Sequence, residues 1–147
     1  MFSSKSKASA SHYDTLISSK TEIVGDIKFK GGVQIEGTVK GSLTAEAGSG
    51  AIVRISETGR IEGKINAPHV VVNGAVVGDI YANEYIELAK KARIQGDVYY
   101  HKMEMVLGAE VNGRLLHQDK SNQSKKSIAN DQSIDQVKSD QSGDKVD

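Results

Sequence analysis

Apolar and polar residues alternate through the middle of this chain, and the alternating segments are copies of one short pattern. Val53, Ile55, Ile61, Gly63 and Ile65 recur without a gap as Ile86, Leu88, Ile94, Gly96 and Val98, and again as Met103, Met105, Val111, Gly113 and Leu115. The first shift is 33 residues and the second 17. Between the first two copies lies a shortened version, Val70, Val72, Val76, Gly78 and Ile80, so the period is about 17 residues. That is too short for a helical hairpin of about 34 residues or a propeller blade of about 40, and it suits one coil of a parallel β-solenoid. Alternation in a strand puts the apolar set on one face, which predicts a lumen lined by Ile and Val and an exterior carrying Arg54, Glu87, Arg93, Gln95, Asp97 and Glu110.

Upstream, Ile23, Ile27, Phe29, Val33, Ile35, Val39 and Leu43 alternate with polar residues between glycines at 25, 31, 32, 37 and 41, and predict the first coils. Gly25, Gly31 and Gly37 fall six apart, as in the hexapeptide variety of β-helix; the irregular later steps count against that variety, and spacing leaves the hand of the coil open. Ala45 to Gly50 breaks the pattern and predicts a loop bulging from the stack. Asn73-Gly74 between two valine runs is the one local signal for a β-hairpin. Gly78-Asp79-Ile80 stays in phase beyond it, which favours a solenoid corner using the positive φ that Asn and Gly tolerate. The expectation is an all-β, single-domain parallel β-helix of five to six coils over residues 20–117, between a disordered arm (1–19) and a disordered tail (118–147) whose composition cannot offset the entropy of ordering.

Composition narrows the function. Fifteen Gly, one Pro, no Trp and two Phe among 147 residues fit a narrow aliphatic lumen better than a sandwich core with aromatic filling. Without Cys, a disulfide framework and a thiolate metal site are excluded. Net charge is zero with both signs interspersed, which provides no electrostatic footprint for nucleic acid. No apolar run of about 18 residues is present, and the start lacks the apolar segment of a secretory signal, so the expected location is cytoplasmic. Gly48-Ser49-Gly50 and the Gly108 to Leu115 stretch miss the phosphate-binding patterns, the latter with Arg114 and Leu115 where a P-loop needs Lys and Ser or Thr. His12, His69, His101 and His117 stand far apart, and the carboxylates are spread rather than paired. The reading is therefore not an enzyme, with no cofactor and no metal. Two alternatives are kept: a hexapeptide-type enzyme (a transferase, or a zinc hydratase using His69 and His101), and a monomeric antiparallel β-domain that binds a ligand.

The ends of the solenoid carry the functional argument. Repeat stacks normally close their terminal coils with polar caps. Here the flanking segments are polar while the terminal coils stay apolar, with Ile23, Ile27 and Phe29 at one end and Leu107, Val111, Leu115 and Leu116 at the other. These seven are the candidate polymer interface, since two unsealed ends per rod generate an open filament. At the start, Met1 and Phe2 followed by Lys5 and Lys7 make a candidate membrane foot: each Lys near an anionic leaflet contributes about 1 kcal/mol, and many copies on one polymer bind together.

From Thr15 to Leu116 the sequence resembles the bactofilins, bacterial cytoskeletal proteins that polymerise without nucleotide. The phrases that carry the likeness are Thr15-Leu16-Ile17, Gly25-Asp26-Ile27, the run Gly31 to Gly41, Val71-Val72-Asn73-Gly74 and Gly78-Asp79-Ile80. The resemblance implies a right-handed β-helix of triangular section and homopolymer filaments in which like ends meet. It also implies attachment to the inner face of the cytoplasmic membrane through a short N-terminal segment, which Met1, Phe2, Lys5 and Lys7 resemble. A scaffold role in cell shape or wall synthesis follows, with wall enzymes or other cytoskeletal and membrane proteins as recruited partners.

Overall fold

The structure, a computed structural model, describes residues 13–119. It contains fifteen β-strands, and no helix occurs among the described residues. Strands pair in parallel with the segment one coil further along, as a solenoid requires. The first coil is β1 (Thr15–Ile17), β2 (Glu22–Val24) and β3 (Ile27–Phe29); the second is β4 (Gly32–Ile35), β5 (Thr38–Lys40) and β6 (Leu43–Ala45). The third runs through β7 (Ile52–Ile55) and β8 (Arg60–Glu62) into β9 (Ile65–Val72). From there β9, β11 (Ile80–Leu88) and β13 (Val98–Met105) each bend around a corner, ending one coil and opening the next, with β10 (Ala75–Val77), β12 (Arg93–Gln95), β14 (Glu110–Asn112) and β15 (Leu115–His117) completing coils four to six. One face is the sheet β2-β5-β8-β10-β12-β14, and the remaining strands form the other two faces.

Register bears out the repeat residue by residue. Val53 pairs with Val70, Val70 with Ile86 and Ile86 with Met103; Ile61, Val76, Ile94 and Val111 make a second column. In the middle coils these side chains are fully buried, and no buried residue among those described is polar or charged. A buried Ile or Val contributes about 1.5–3 kcal/mol relative to leaving it in water, so the aliphatic columns are the main source of stability.

Corners are set by glycine and by the residue after it. Gly41, Gly63, Gly78, Gly96 and Gly113 stack one above another, and a Cβ on any of them would collide with the carbonyl oxygen of the glycine below. Asp26, after Gly25 at the foot of this stack, and Asp79 and Asp97, after Gly78 and Gly96, each accept a bond from the next coil's backbone, from the N–H of Ser42 (2.9 Å), Asp97 (2.9 Å) and Arg114 (3.0 Å). The Gly-Asp-Ile phrase thus has a mechanical meaning: the glycine admits the coil above and the carboxylate satisfies a donor that the interrupted ladder leaves over.

Three sequence expectations change in detail: where the fold starts, the backbone of Gly74 and where the loop begins. The solenoid starts within the segment assigned to the arm, because Thr15–Ile17 pairs with Val33–Ile35 and buries Ile17; three residues are too few for alternation to register against Ser-rich surroundings. Asn73-Gly74 is a corner between parallel strands, and Gly74 is not among the positive-φ glycines; it is needed because a Cβ there would meet the carbonyl oxygens of Ser56 and Gly59. Gly25, Gly31 and Gly37 are six apart because they mark three successive corners, and the later coils do not keep that step. Ala45 pairs with Phe29, so the loop begins at Glu46 and leaves between β6 and β7. Residues 120–147 and 1–12 lie outside the described residues, and with them the proposed foot of Met1, Phe2, Lys5 and Lys7.

Candidate functional site: the two openings of the solenoid

Exposure along the lumen columns rises at the ends, except at Ile17, which stays buried in the first coil. The column Ile27, Leu43, Ile65, Ile80, Val98, Leu115 is fully buried from Leu43 to Val98, but Ile27 is only half-buried and Leu115 is 43% exposed. Next to it, Ile35, Ile55, Val72 and Leu88 are wholly buried, and their last rung, Met105, is 44% exposed. Ile23 and Phe29 at the first coil, and Met103 and Val111 at the last, are partly buried against the core. Both openings therefore present apolar side chains that in every middle coil are covered by the next coil.

Five of the seven residues predicted for the interface are at these openings: Ile23, Ile27, Phe29, Val111 and Leu115. Two are elsewhere. Leu107 sits in the turn between β13 and β14 and is 95% exposed. Leu116 pairs with the outward Tyr99 rather than with Val98, so strand alternation places it on the outside wall. Met103 and Met105 belong to the opening and were missing from the candidate set. Their signal was already in the repeat, which aligns them with Ile86 and Leu88. His117 is a further rim residue, in register with Tyr100, and the two rings meet edge-on with centroids 5.5 Å apart.

The residues considered for chemistry do not converge. His69 pairs with Ile52 and Tyr85 and lines a hollow of about 540 Å³ beneath the loop with Asn83 and Glu84. His101 stacks on His117 at 5.9 Å, one coil or more away. His12 lies outside the described residues. Among the described residues no group of three or more His, Asp or Glu is placed to hold a metal. Gly48-Ser49-Gly50 forms the loop, and Gly113 belongs to the stacked glycines. The wall is held by ion pairs across coils, Glu22 with Lys40 (3.1 Å), Arg93 with Glu110 (3.4 Å) and Asp97 with Arg114 (2.7 Å). The Arg114 guanidinium and N–H hold the Asp97 carboxyl below its ordinary range.

Such an architecture defines a short parallel β-solenoid, a repeat module whose ends are left apolar. The family model that matches residues 15–116 is described as Bactofilin, polymer-forming cytoskeletal. This chain belongs to the bactofilin family, a structural family of the cytoskeleton. Among curated proteins it is 28% identical over 102 residues to Bactofilin BacO of Myxococcus xanthus, covering 69% of this chain and 78% of that protein. It is also 28% identical over 116 residues to Bactofilin BacP of the same species, covering 78% of this chain; the match spans about half of BacP, 47% of its length. Among solved structures, the Thermus thermophilus bactofilin, reconstructed by cryo-EM as double helical filaments, superposes with a TM-score of 0.63 at 30% identity, covering 71% of this chain and 99% of that one.

Proposed function

We propose that this protein is a cytoskeletal scaffold that assembles end to end into filaments without nucleotide, two strands winding together as in the Thermus relative. The observation that carries the reading is the exposure of Leu115 and Met105 at positions where every middle coil buries its equivalent. Covering a half-exposed Leu or Met contributes about 1 kcal/mol, and stacking a second rod also pairs the terminal backbone edges. A rod engaged at one opening keeps the other free, so growth is open. Negative-stain microscopy of the purified chain in nucleotide-free buffer tests this directly: filaments are expected, and discrete particles at high concentration would overturn it.

The filament is placed on the inner face of the cytoplasmic membrane through Met1, Phe2, Lys5 and Lys7, and serves cell shape or wall synthesis by gathering wall enzymes or other membrane proteins. What supports the foot is its composition together with the avidity of a polymer, which converts a weak single contact into a firm one. Flotation on anionic vesicles should be lost when the chain starts at Ala8; equal flotation of both forms rejects the assignment.

A further inference from the structure

The outer wall is uneven. On the face that starts at β1, the outward column reads Leu16, Gln34, Arg54, Val71, Glu87, Glu104, and the sheet that starts at β2 carries Glu22 with Lys40 and Arg93 with Glu110. On the third face the outward column starts at Lys28 and continues as Thr44, Asn66, Tyr81, Tyr99, Leu116, so that beyond its first rung five successive rungs carry no charge. Its last three rungs are large. Tyr81 and Tyr99 stack with ring centroids 4.5 Å apart and 3° between planes, and Lys64 Nζ lies 5.5 Å from the Tyr81 ring centre. Tyr81, Tyr99 and Leu116 are all partly exposed.

We infer that the Tyr81–Tyr99–Leu116 column is the seam along which two strands of this protein lie against each other, its occupant being a second copy of the chain in the neighbouring strand. The inference rests on the filament reading above. In a double helical filament, such as the relative at 30% identity forms, outer walls of the two strands must touch once per subunit. A six-coil rod rises roughly 30 Å at about 4.8 Å per coil, so the contact recurs at that spacing and its energy adds along the strand. A small patch therefore suffices. Tyrosine suits it, because a rigid ring covers much area at low entropic cost and keeps a polar tip for the wet rim. The column also runs up to Leu116, beside Leu115 at the opening, so the seam is continuous with the end-to-end contact.

The test is cryo-EM of the full chain carrying Tyr81→Glu and Tyr99→Glu beside wild type and the Tyr81→Phe, Tyr99→Phe control. The Glu variant should form single strands with the longitudinal repeat intact, paired filaments falling at least tenfold, while the Phe control stays paired. Paired Glu-variant filaments or unpaired wild-type filaments would each overturn the seam. Absence of any wild-type filament would instead sink the scaffold reading itself. Hydroxyl-radical footprinting of wild-type filaments gives an answer without a variant: Tyr81 and Tyr99 should be labelled several-fold less than in short unpolymerised rods, and equal labelling rejects the seam.

Discussion

At the scale of single residues, the corner carboxylates couple local chemistry to the stack. Asp97 Oδ1 accepts the Arg114 N–H and Oδ2 accepts the Arg114 guanidinium, so the last coil is fastened to the fifth by one side chain. Those bonds favour the charged carboxylate and hold its pKa below the unfolded value of about 3.9. A lowered folded pKa gives stability that is fully present above the unfolded value and lost as pH falls through the folded one. The melting temperature of wild type should accordingly exceed that of Asp97→Asn at neutral pH, and the two should converge as pH drops below about 4. A gap unchanged down to pH 2 would mean that the ion pair contributes nothing through its charge. The pattern Gly-Asp-aliphatic was visible in sequence; that its carboxylate serves the coil above was not, because the partner lies 16 to 18 residues on.

At the scale of the coil, the decisive feature is that corners stack in register. Gly78 has φ +146°, and a Cβ there would stand 2.7 Å from the Gly63 carbonyl carbon as well as colliding with its oxygen. Gly25, in the first coil, has a comparable φ of +137° and nothing within 4 Å. Gly78→Ala should therefore destabilise by about 2 kcal/mol or more, combining backbone strain with overpacking, while Gly25→Ala pays for the conformation alone. Chemical denaturation midpoints compare them, and equal losses would show that φ, not crowding between coils, is the reason for glycine. Position and type of the strands were legible in the repeat. The start of the fold at Thr15 was not, since a strand of three residues is made by its pairing to Val33–Ile35 rather than by its own pattern.

At the scale of the whole molecule, stability and assembly are one problem. A solenoid whose terminal coils lack a neighbour gains by acquiring one, so wild-type melting temperature should rise with protein concentration. Leu115→Arg and Ile27→Arg place a charge in opposite openings, and each should leave short soluble rods or rod pairs, while the double variant should melt at a temperature independent of concentration; long filaments surviving both changes would overturn the end-to-end contact. By itself the sequence determined the period, the inward and outward sets and the aliphatic lumen, because a parallel stack repeats the same local environment in every coil and writes it into the chain as a spacing. Tertiary structure alone decided how far each terminal side chain is left uncovered, that Thr15–Ile17 pairs ahead to complete the first coil, and that the Tyr81 and Tyr99 rings stack on one another. Those facts depend on which residues meet across coils, and no local pattern encodes a contact between residues that are neighbours only after folding.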